Sequence, residues 1–174
     1  MFRPTARWIV AGVLCSLALA SPAGAADWPT WRCDPNRTAS TPTALPEDLH
    51  LQWTLRLGAL GPAWPDEPRM RFDAAYQPIV AGQTMFVGSS RDDSVAAYDV
   101  RDGGERWRFY ADGPVRFAPA AWKDRLFVAS DDGQLYCLDA AGGKLLWKFR
   151  AGPSGRMLLG NERLISTWPA RGAP

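Results

Sequence analysis

The sequence predicts an all-β fold built from repeated four-stranded antiparallel sheets, and three observations support this prediction. The 174 residues include 16 Gly, 15 Pro and 9 Trp, a composition typical of short strands joined by turns rather than of a helical bundle. No long segment shows the helical spacing of apolar residues. A segment of about 40 residues also occurs twice, with its turns and aromatic residues in register.

The repeat is visible when residues 77–113 are placed over residues 118–152. Eight of the identical positions define the register, at an offset of 41 residues in the first half and 40 in the second. One residue is lost at a predicted hairpin tip, where repeats tolerate a change of length. These eight pairs are Pro78 and Pro119, Phe86 and Phe127, Val87 and Val128, Ser89 and Ser130, Asp99 and Asp139, Gly103 and Gly143, Trp107 and Trp147, and Phe109 and Phe149.

Each copy divides into four strand-like pieces, which in the second copy are 116–121, 125–129, 134–139 and 144–150. The breaks between them are rich in Asp and Gly, which form turns. The two middle pieces are continuously apolar, as expected of strands covered on both faces. In the last piece apolar residues alternate with mostly charged ones, as expected of a strand with one buried face. A four-stranded unit of about 40 residues is the period of a β-propeller blade. We therefore predict a partial propeller with blades at 75–115 and 116–155.

The flanking segments are predicted to be incomplete parts of the same architecture. Residues 26–58 hold one further outer strand at 51–57, without the three strands that should precede it, and residues 59–74 form a Pro-rich connector. Residues 156–174 resemble the start of another blade. A propeller closes with about four to eight blades, so we expect an N-terminal fragment of a longer product, with exposed strand edges.

The first 25 residues have the three-part pattern of a secretory signal peptide. Arg3 and Arg7 precede an apolar run at 8–20, and Ala23-Gly24-Ala25 forms a small-residue cleavage site. The 13-residue run is shorter than the roughly 20 residues that cross a bilayer. We predict cleavage before Ala26, a periplasmic or cell-envelope location, and no membrane span in the mature chain.

Charge and metal-binding residue types exclude several classes of function. The 20 Lys and Arg fall to 18 without Arg3 and Arg7, which equals the 18 Asp and Glu, so the mature chain lacks the basic surface of a nucleic-acid-binding protein. His50 is the only histidine, so no metal site or catalytic triad built on several histidines is expected. Cys33 and Cys137 remain after cleavage, and we expect both to be free thiols.

The segment from Ala97 to Trp107 carries a family resemblance. Its pattern of Ala, any residue, Asp, three residues, Gly, three residues and Trp resembles the tryptophan-docking motif of pyrroloquinoline-quinone-type β-propellers. Residues 137–147 repeat the pattern with Cys in place of Ala. The resemblance implies that the Trp of each outer strand docks against the adjacent blade. The implied docking residues are Trp53, Asp99, Gly103, Trp107, Asp139, Gly143 and Trp147.

The resemblance leaves two functions open, a non-catalytic binding or scaffold module and the N-terminal part of a quinone-dependent dehydrogenase. Such dehydrogenases bind quinone and a metal ion with a catalytic Asp and often a pair of adjacent Cys, which this chain lacks. The acidic pairs 92–93 and 131–132 are interpreted as solvated hairpin turns. We therefore predict no catalytic, cofactor-binding or metal-binding residue, and no cofactor. The favoured function is protein binding in the cell envelope.

The connector is the one irregular part of the repeat. It separates Trp53 from Trp107 by 54 residues, against 40 between Trp107 and Trp147. Trp64, Arg69 and Arg71 within it are candidates for a contact surface. The alternative is a rigid link with no binding role, because long loops are only sometimes functional.

Overall fold

The computed structural model describes residues 26–59, 61–71, 73–160 and 162–174. The predicted signal peptide lies outside the described residues. Two four-stranded antiparallel sheets follow each other along the chain, each with its strands in sequence order, and a two-stranded hairpin follows them. The strands are β1 Ile79–Ala81, β2 Thr84–Ser89, β3 Ser94–Asp99, β4 Glu105–Tyr110, β5 Ala120–Trp122, β6 Arg125–Ala129, β7 Gln134–Asp139, β8 Leu145–Arg150, β9 Met157–Gly160 and β10 Arg163–Ser166.

The all-β prediction and the four-stranded antiparallel blades are confirmed. We call β1–β4 blade 1 and β5–β8 blade 2. The inner strand of blade 2 is shorter than predicted, because it starts at Ala120 rather than Arg116. Two local features explain the late start: Pro119 has no backbone N–H for a ladder, and the Arg116 side chain is buried among carboxylates.

The outer strand predicted at 51–57 is not formed. This segment is extended, but it has no strand ladder with any part of the chain that the structure describes. Leu55 and Leu57 pack on the outer face of blade 1, against Val87, Ala96 and Tyr98. Leu55 and Leu57 of the alternating pattern are partly buried, whereas Leu51 is 85% exposed. The segment is not a strand because strand formation also requires a hydrogen-bonded neighbour. We call residues 51–57 the strap.

The main core lies between the two blades. One face of blade 1 contributes Phe86 and Val95, and the facing surface of blade 2 contributes Leu126, Val128 and Tyr136. The Phe109 ring meets the Tyr136 ring edge-on, with 5.3 Å between centroids. Burying each of the larger aliphatic or aromatic side chains stabilises the fold by about 1.5–3 kcal/mol. The blades are therefore held together by apolar packing rather than by shared strands.

The remaining segments cover the ends and the inner edge of the blades. The β9–β10 hairpin lies against the β2–β3 turn, where Arg163 donates to the Ser90 carbonyl at 2.7 Å. At the inner edge, Trp28 and Val80 exchange two backbone hydrogen bonds of 2.8 and 2.9 Å. Within the described residues, no helix is long and apolar enough to cross a bilayer. Cys33 and Cys137 are free, and Cys137 is buried.

Candidate functional site

Two tryptophans lie against glycine turns of the adjacent blade. The Trp107 indole N–H donates to the Ala140 carbonyl at 3.1 Å, and its ring covers Gly143 so closely that a Cβ there would lie 2.5 Å from it. The Trp53 indole likewise donates to the Val100 carbonyl at 2.8 Å and covers Gly103. Both glycines have positive φ, +70° and +74°, which other residues rarely adopt. Glycine thus gives both the turn and the space for the ring.

Trp147 occupies the same repeat position but has a different environment. Its ring lies 6.0 Å from the Phe127 ring, and 40% of the residue is exposed. No glycine turn of this kind receives it within the described parts of the chain. The neighbouring Phe149 is 60% exposed, so two aromatic side chains on the outer face of blade 2 are accessible to solvent.

The motif carboxylates organise the turns on which these rings lie. Asp99 accepts hydrogen bonds from the Arg101 side chain at 2.7 and 3.0 Å and from Arg106 at 2.8 Å. These bonds hold the pKa of the Asp99 carboxyl well below its usual range. In the second copy, Asp139 accepts from the Gly142 backbone N–H at 2.7 Å. Asp99 and Asp139 therefore have structural partners at the turns.

The Asp99 ion pairs predict a specific loss of stability in acid. Because the folded pKa is lowered, the carboxylate stabilises the protein above its unfolded pKa of about 3.9, and this contribution is lost as the pH falls below that value. We expect Asp99→Asn to be less stable than the parent at pH 7, and the difference to shrink by pH 3. Urea titrations at several pH values measure it, with the exposed Glu162→Gln as control. A difference in unfolding free energy between parent and Asp99→Asn that does not change with pH would contradict the pairing of Asp99 with Arg101 and Arg106.

A buried ionic cluster ties four segments together at the β6–β7 end of the blades. The Arg116 side chain is 0% exposed and lies 3.3 Å from Asp73 and 3.5 Å from Asp131. The second Asp131 oxygen accepts no hydrogen bond within the described residues, and Arg171 is 3.9 Å from it. Burial raises the pKa of Asp131, against the opposing effect of Arg116. For Asp73, hydrogen bonds from Ser90, Ala63 and Arg116 outweigh burial and lower the pKa.

The acidic pairs at the hairpin tips differ from the interpretation as solvated turns. Asp131 is 1% exposed and Asp132 is 3% exposed. Asp132 accepts from the Gln134 backbone N–H at 2.8 Å, as a turn residue should, but it also accepts from the buried Tyr136 hydroxyl. Sequence alone gave no sign of the burial, because the hairpin and tail that cover these residues are distant in the chain. Asp92 is exposed, as expected, and pairs with Arg108 at 3.0 Å.

The connector residues singled out in the sequence do not form one surface. The Trp64 ring is partly buried and packs beside Gly160 of the hairpin. Arg71 donates to the Pro65 carbonyl at 2.8 Å, which closes the connector on itself, and Arg69 lies in a short 3₁₀ turn at Pro68–Met70. The geometry agrees better with a folded link than with a binding loop.

A groove at the inner edge of the blades brings together residues that the sequence analysis did not select. It has a volume of about 530 Å³, and its walls include Pro29, Trp31, Arg37, Ala121 and Trp122. The Ala121 backbone N–H donates to the Pro29 carbonyl at 2.7 Å, which fixes the N-terminal segment along β5. We call this feature the inner-edge groove. Sequence reasoning assigned no role to Trp31 or Trp122, which are distant in the chain.

Both groove tryptophans are accessible and carry cations over their rings. Trp122 is 59% exposed, with the Lys123 ammonium 4.3 Å from its ring centroid. The Arg37 guanidinium lies 5.3 Å from the Trp31 ring centroid. Such pairs combine apolar contact area with positive charge. The groove can therefore contact an apolar or acidic ligand.

The described residues do not fit a quinone cofactor that is bound through a metal ion. In residues 26–174, apart from the three undescribed positions, no three His, Cys, Asp or Glu side chains are grouped to hold a metal. The buried carboxylates at 73 and 131 both face Arg116. The geometry of these residues supports packing and binding, and we derive no reaction step from it.

Comparison with known proteins gave one family match and several structures with a similar fold. A family profile described as "Outer membrane protein assembly factor BamB" matches residues 50–167, whereas a search of curated proteins gave no significant match. The structure of quinohemoprotein alcohol dehydrogenase from Comamonas testosteroni aligns at a TM-score of 0.52 and 23% identity, over 79% of this chain and 22% of that chain. This likeness concerns the propeller fold.

Two further structures align over less of the chain. BamB from Moraxella catarrhalis has a TM-score of 0.38 and 20% identity, over 44% of this chain and 26% of its own. Quinohemoprotein alcohol dehydrogenase ADHIIG from Pseudomonas putida HK5 has a TM-score of 0.41 and 27% identity, over 45% and 13%. The chain thus spans about a quarter or less of each structure. Because the family profile covers well over half of the chain, the chain belongs to the pyrroloquinoline-quinone-like β-propeller repeat family that includes outer membrane protein assembly factor BamB.

Proposed function

We propose that this chain is an exported β-propeller module that binds protein partners in the cell envelope and has no catalytic activity of its own. The observation that carries the proposal is the inner-edge groove, with its two accessible tryptophans and adjacent cations. Trp and Arg are the residues most enriched at the energetic centres of protein interfaces. The family description, an assembly factor of the outer membrane, supports the same class of function.

The chemistry of the groove favours an extended apolar segment of a partner protein. Its walls are mostly carbon, contributed by Pro29, Trp31, Ala120 and Ala121 beside Trp122. The apolar residues Ala173 and Pro174 of this chain also line it, which supports an apolar ligand. Arg37 and Lys123 would favour acidic residues at the edges of that segment.

The ionisable residues support binding rather than catalysis. Asp99 is paired with two arginines at a turn, and Asp73 and Asp131 face Arg116 in the buried cluster at the β6–β7 end of the blades. A catalytic acid or base must reach a substrate, whereas these carboxylates hold the backbone and the blades in place. The exported location rests on the signal-peptide pattern in residues 1–25 and on the envelope function named by the family.

Photocrosslinking in the envelope of the producing bacterium tests the proposal. A photoreactive phenylalanine analogue in place of Trp122 should give discrete protein adducts, because this side chain opens into the groove. The same analogue at Leu45, which is exposed outside the groove, is the matched control. Intact-mass measurement of the recovered protein should show a chain that starts at Ala26. Adducts of equal pattern at both positions, or an uncleaved cytoplasmic chain, would contradict the proposal.

The alternative, a part of a quinone-dependent dehydrogenase, has its own test. Purified mature chain is titrated with pyrroloquinoline quinone and calcium, and the retained cofactor is measured after gel filtration. We expect no stoichiometric retention, because the described residues offer no grouped metal ligands. Retention of one quinone per chain would favour the dehydrogenase, whose likeness to this chain rests on the propeller fold.

A further inference from the structure

The two blades pack through one face of each. Because the blades are repeats, each of the two outer faces of the pair carries apolar residues at the positions used in this internal interface. In the internal interface, blade 1 offers Phe86, Val95, Trp107 and Phe109. The repeat places Phe127, Leu135, Trp147 and Phe149 at the same positions of blade 2, on its outer face. The equivalent face of blade 1 is covered by blade 2, whereas on the outer face of blade 2 Phe149 is largely exposed.

The opposite side of the pair presents the matching surface. In the internal interface, blade 2 receives blade 1 with Leu126, Val128, Tyr136 and Leu138. The repeat places Met85, Val87, Ala96 and Tyr98 at the same positions of blade 1, on its outer face. Each side of the molecule thus carries one half of an interface that the molecule already forms internally.

We propose that two copies of this chain associate head to tail, with the outer face of blade 2 of one copy packed on the outer face of blade 1 of the next. Trp147 of the first copy would enter the site formed by Gly103 and the Val100 carbonyl of the second. This site fits an indole, because Trp53 fills it within the chain and donates to that carbonyl. The association does not depend on the proposed partner function.

The strap is the element that must move for this contact to form. It has no strand ladder within the described residues, so its displacement breaks no sheet. Its movement must release the Trp53 indole and the packing of Leu55 and Leu57 on blade 1. Next to the strap, the Tyr76 hydroxyl donates to the Gly58 carbonyl at 2.9 Å and Arg91 donates to the Ala59 carbonyl at 3.0 Å. Trp53 and Trp147 therefore compete for one site, the first from within the chain and the second from another copy.

The contact is heterologous, because each copy uses two different surfaces. Each copy contributes two blades, so repeating the contact turns each copy by twice the angle between adjacent blades. Propellers close with about four to eight blades, so rings of about two to four copies are expected. A closed ring of defined mass distinguishes this association from the open-ended growth of an aggregate.

Light scattering coupled to gel filtration, over a range of concentrations of chain 26–174, measures the association. Trp147→Ala should raise the midpoint concentration by at least about thirtyfold, as for a residue at the centre of an interface. Trp53→Ala should lower the midpoint, because it vacates the site. Leu159→Ala, which truncates an exposed apolar side chain on the β9–β10 hairpin, is the control and should leave the midpoint unchanged.

A second readout fixes the register of the contact and does not depend on a truncation. A photoreactive phenylalanine analogue in place of Trp147 should crosslink between copies to the peptide that holds Val100 and Gly103. The proposal is overturned if the parent and Trp53→Ala remain monomeric at all concentrations. It is equally overturned if Trp147→Ala and Leu159→Ala shift the midpoint alike, or if the crosslink maps elsewhere.

Discussion

Trp107→Ala is expected to lower the free energy of unfolding by about 3–5 kcal/mol, the range found when a large aromatic side chain is removed from a core. The ring packs on Gly143 and beside Phe86, so its loss leaves a cavity between the blades, and the Ala140 carbonyl loses the indole donor. Urea denaturation of the mature chain, followed by far-ultraviolet circular dichroism, measures the change.

The matched control is Trp147→Ala, at the same position of the second copy. Because this ring is partly exposed and has no glycine turn to cover, we expect a loss of about 1 kcal/mol or less, measured at a concentration where the chain is monomeric. Equal losses for the two variants would mean that the packing between the blades does not depend on the docked ring.

Arg116→Ala is expected to destabilise the fold by a similar amount, about 3–5 kcal/mol, because it removes one partner of a buried ion pair. Asp73 and Asp131 would then face each other inside the protein without the cation that separates them. Thermal and urea unfolding at pH 7 measure the loss. The double variant Arg116→Met with Asp131→Asn should recover part of it, since it leaves less unpaired buried charge.

The pH dependence of the Arg116→Ala variant provides an independent check. Burial raises the pKa of Asp131, so the folded state favours the protonated acid, and this contribution to stability is greatest below the unfolded pKa of about 3.9. It is lost as the pH rises through the folded pKa. We therefore expect the deficit of the variant to be smaller at pH 4 than at pH 7. A deficit that grows in acid would show that Asp131 is not the group left unpaired.

The sequence by itself determined the blade architecture. Strand period, turn residues and the repeat of about 40 residues are local properties, and β6–β8 lie where these signals predict them, within one residue at either end. The motif residues Trp107 and Gly143 lie in contact between the blades, where a ring of that size needs a residue without a side chain opposite it.

Only the tertiary structure decided what each signal is used for. The leucine pattern of the strap indicated a buried face but could not show whether a neighbouring strand was present to pair with it. Asp131 reads as a solvated turn residue until Arg116, the tail and the hairpin are brought over it. Trp31 and Trp122 are 91 residues apart in the sequence and line one groove in the fold. Burial, charge pairing and grooves are set by contacts between distant segments, which a local pattern does not encode.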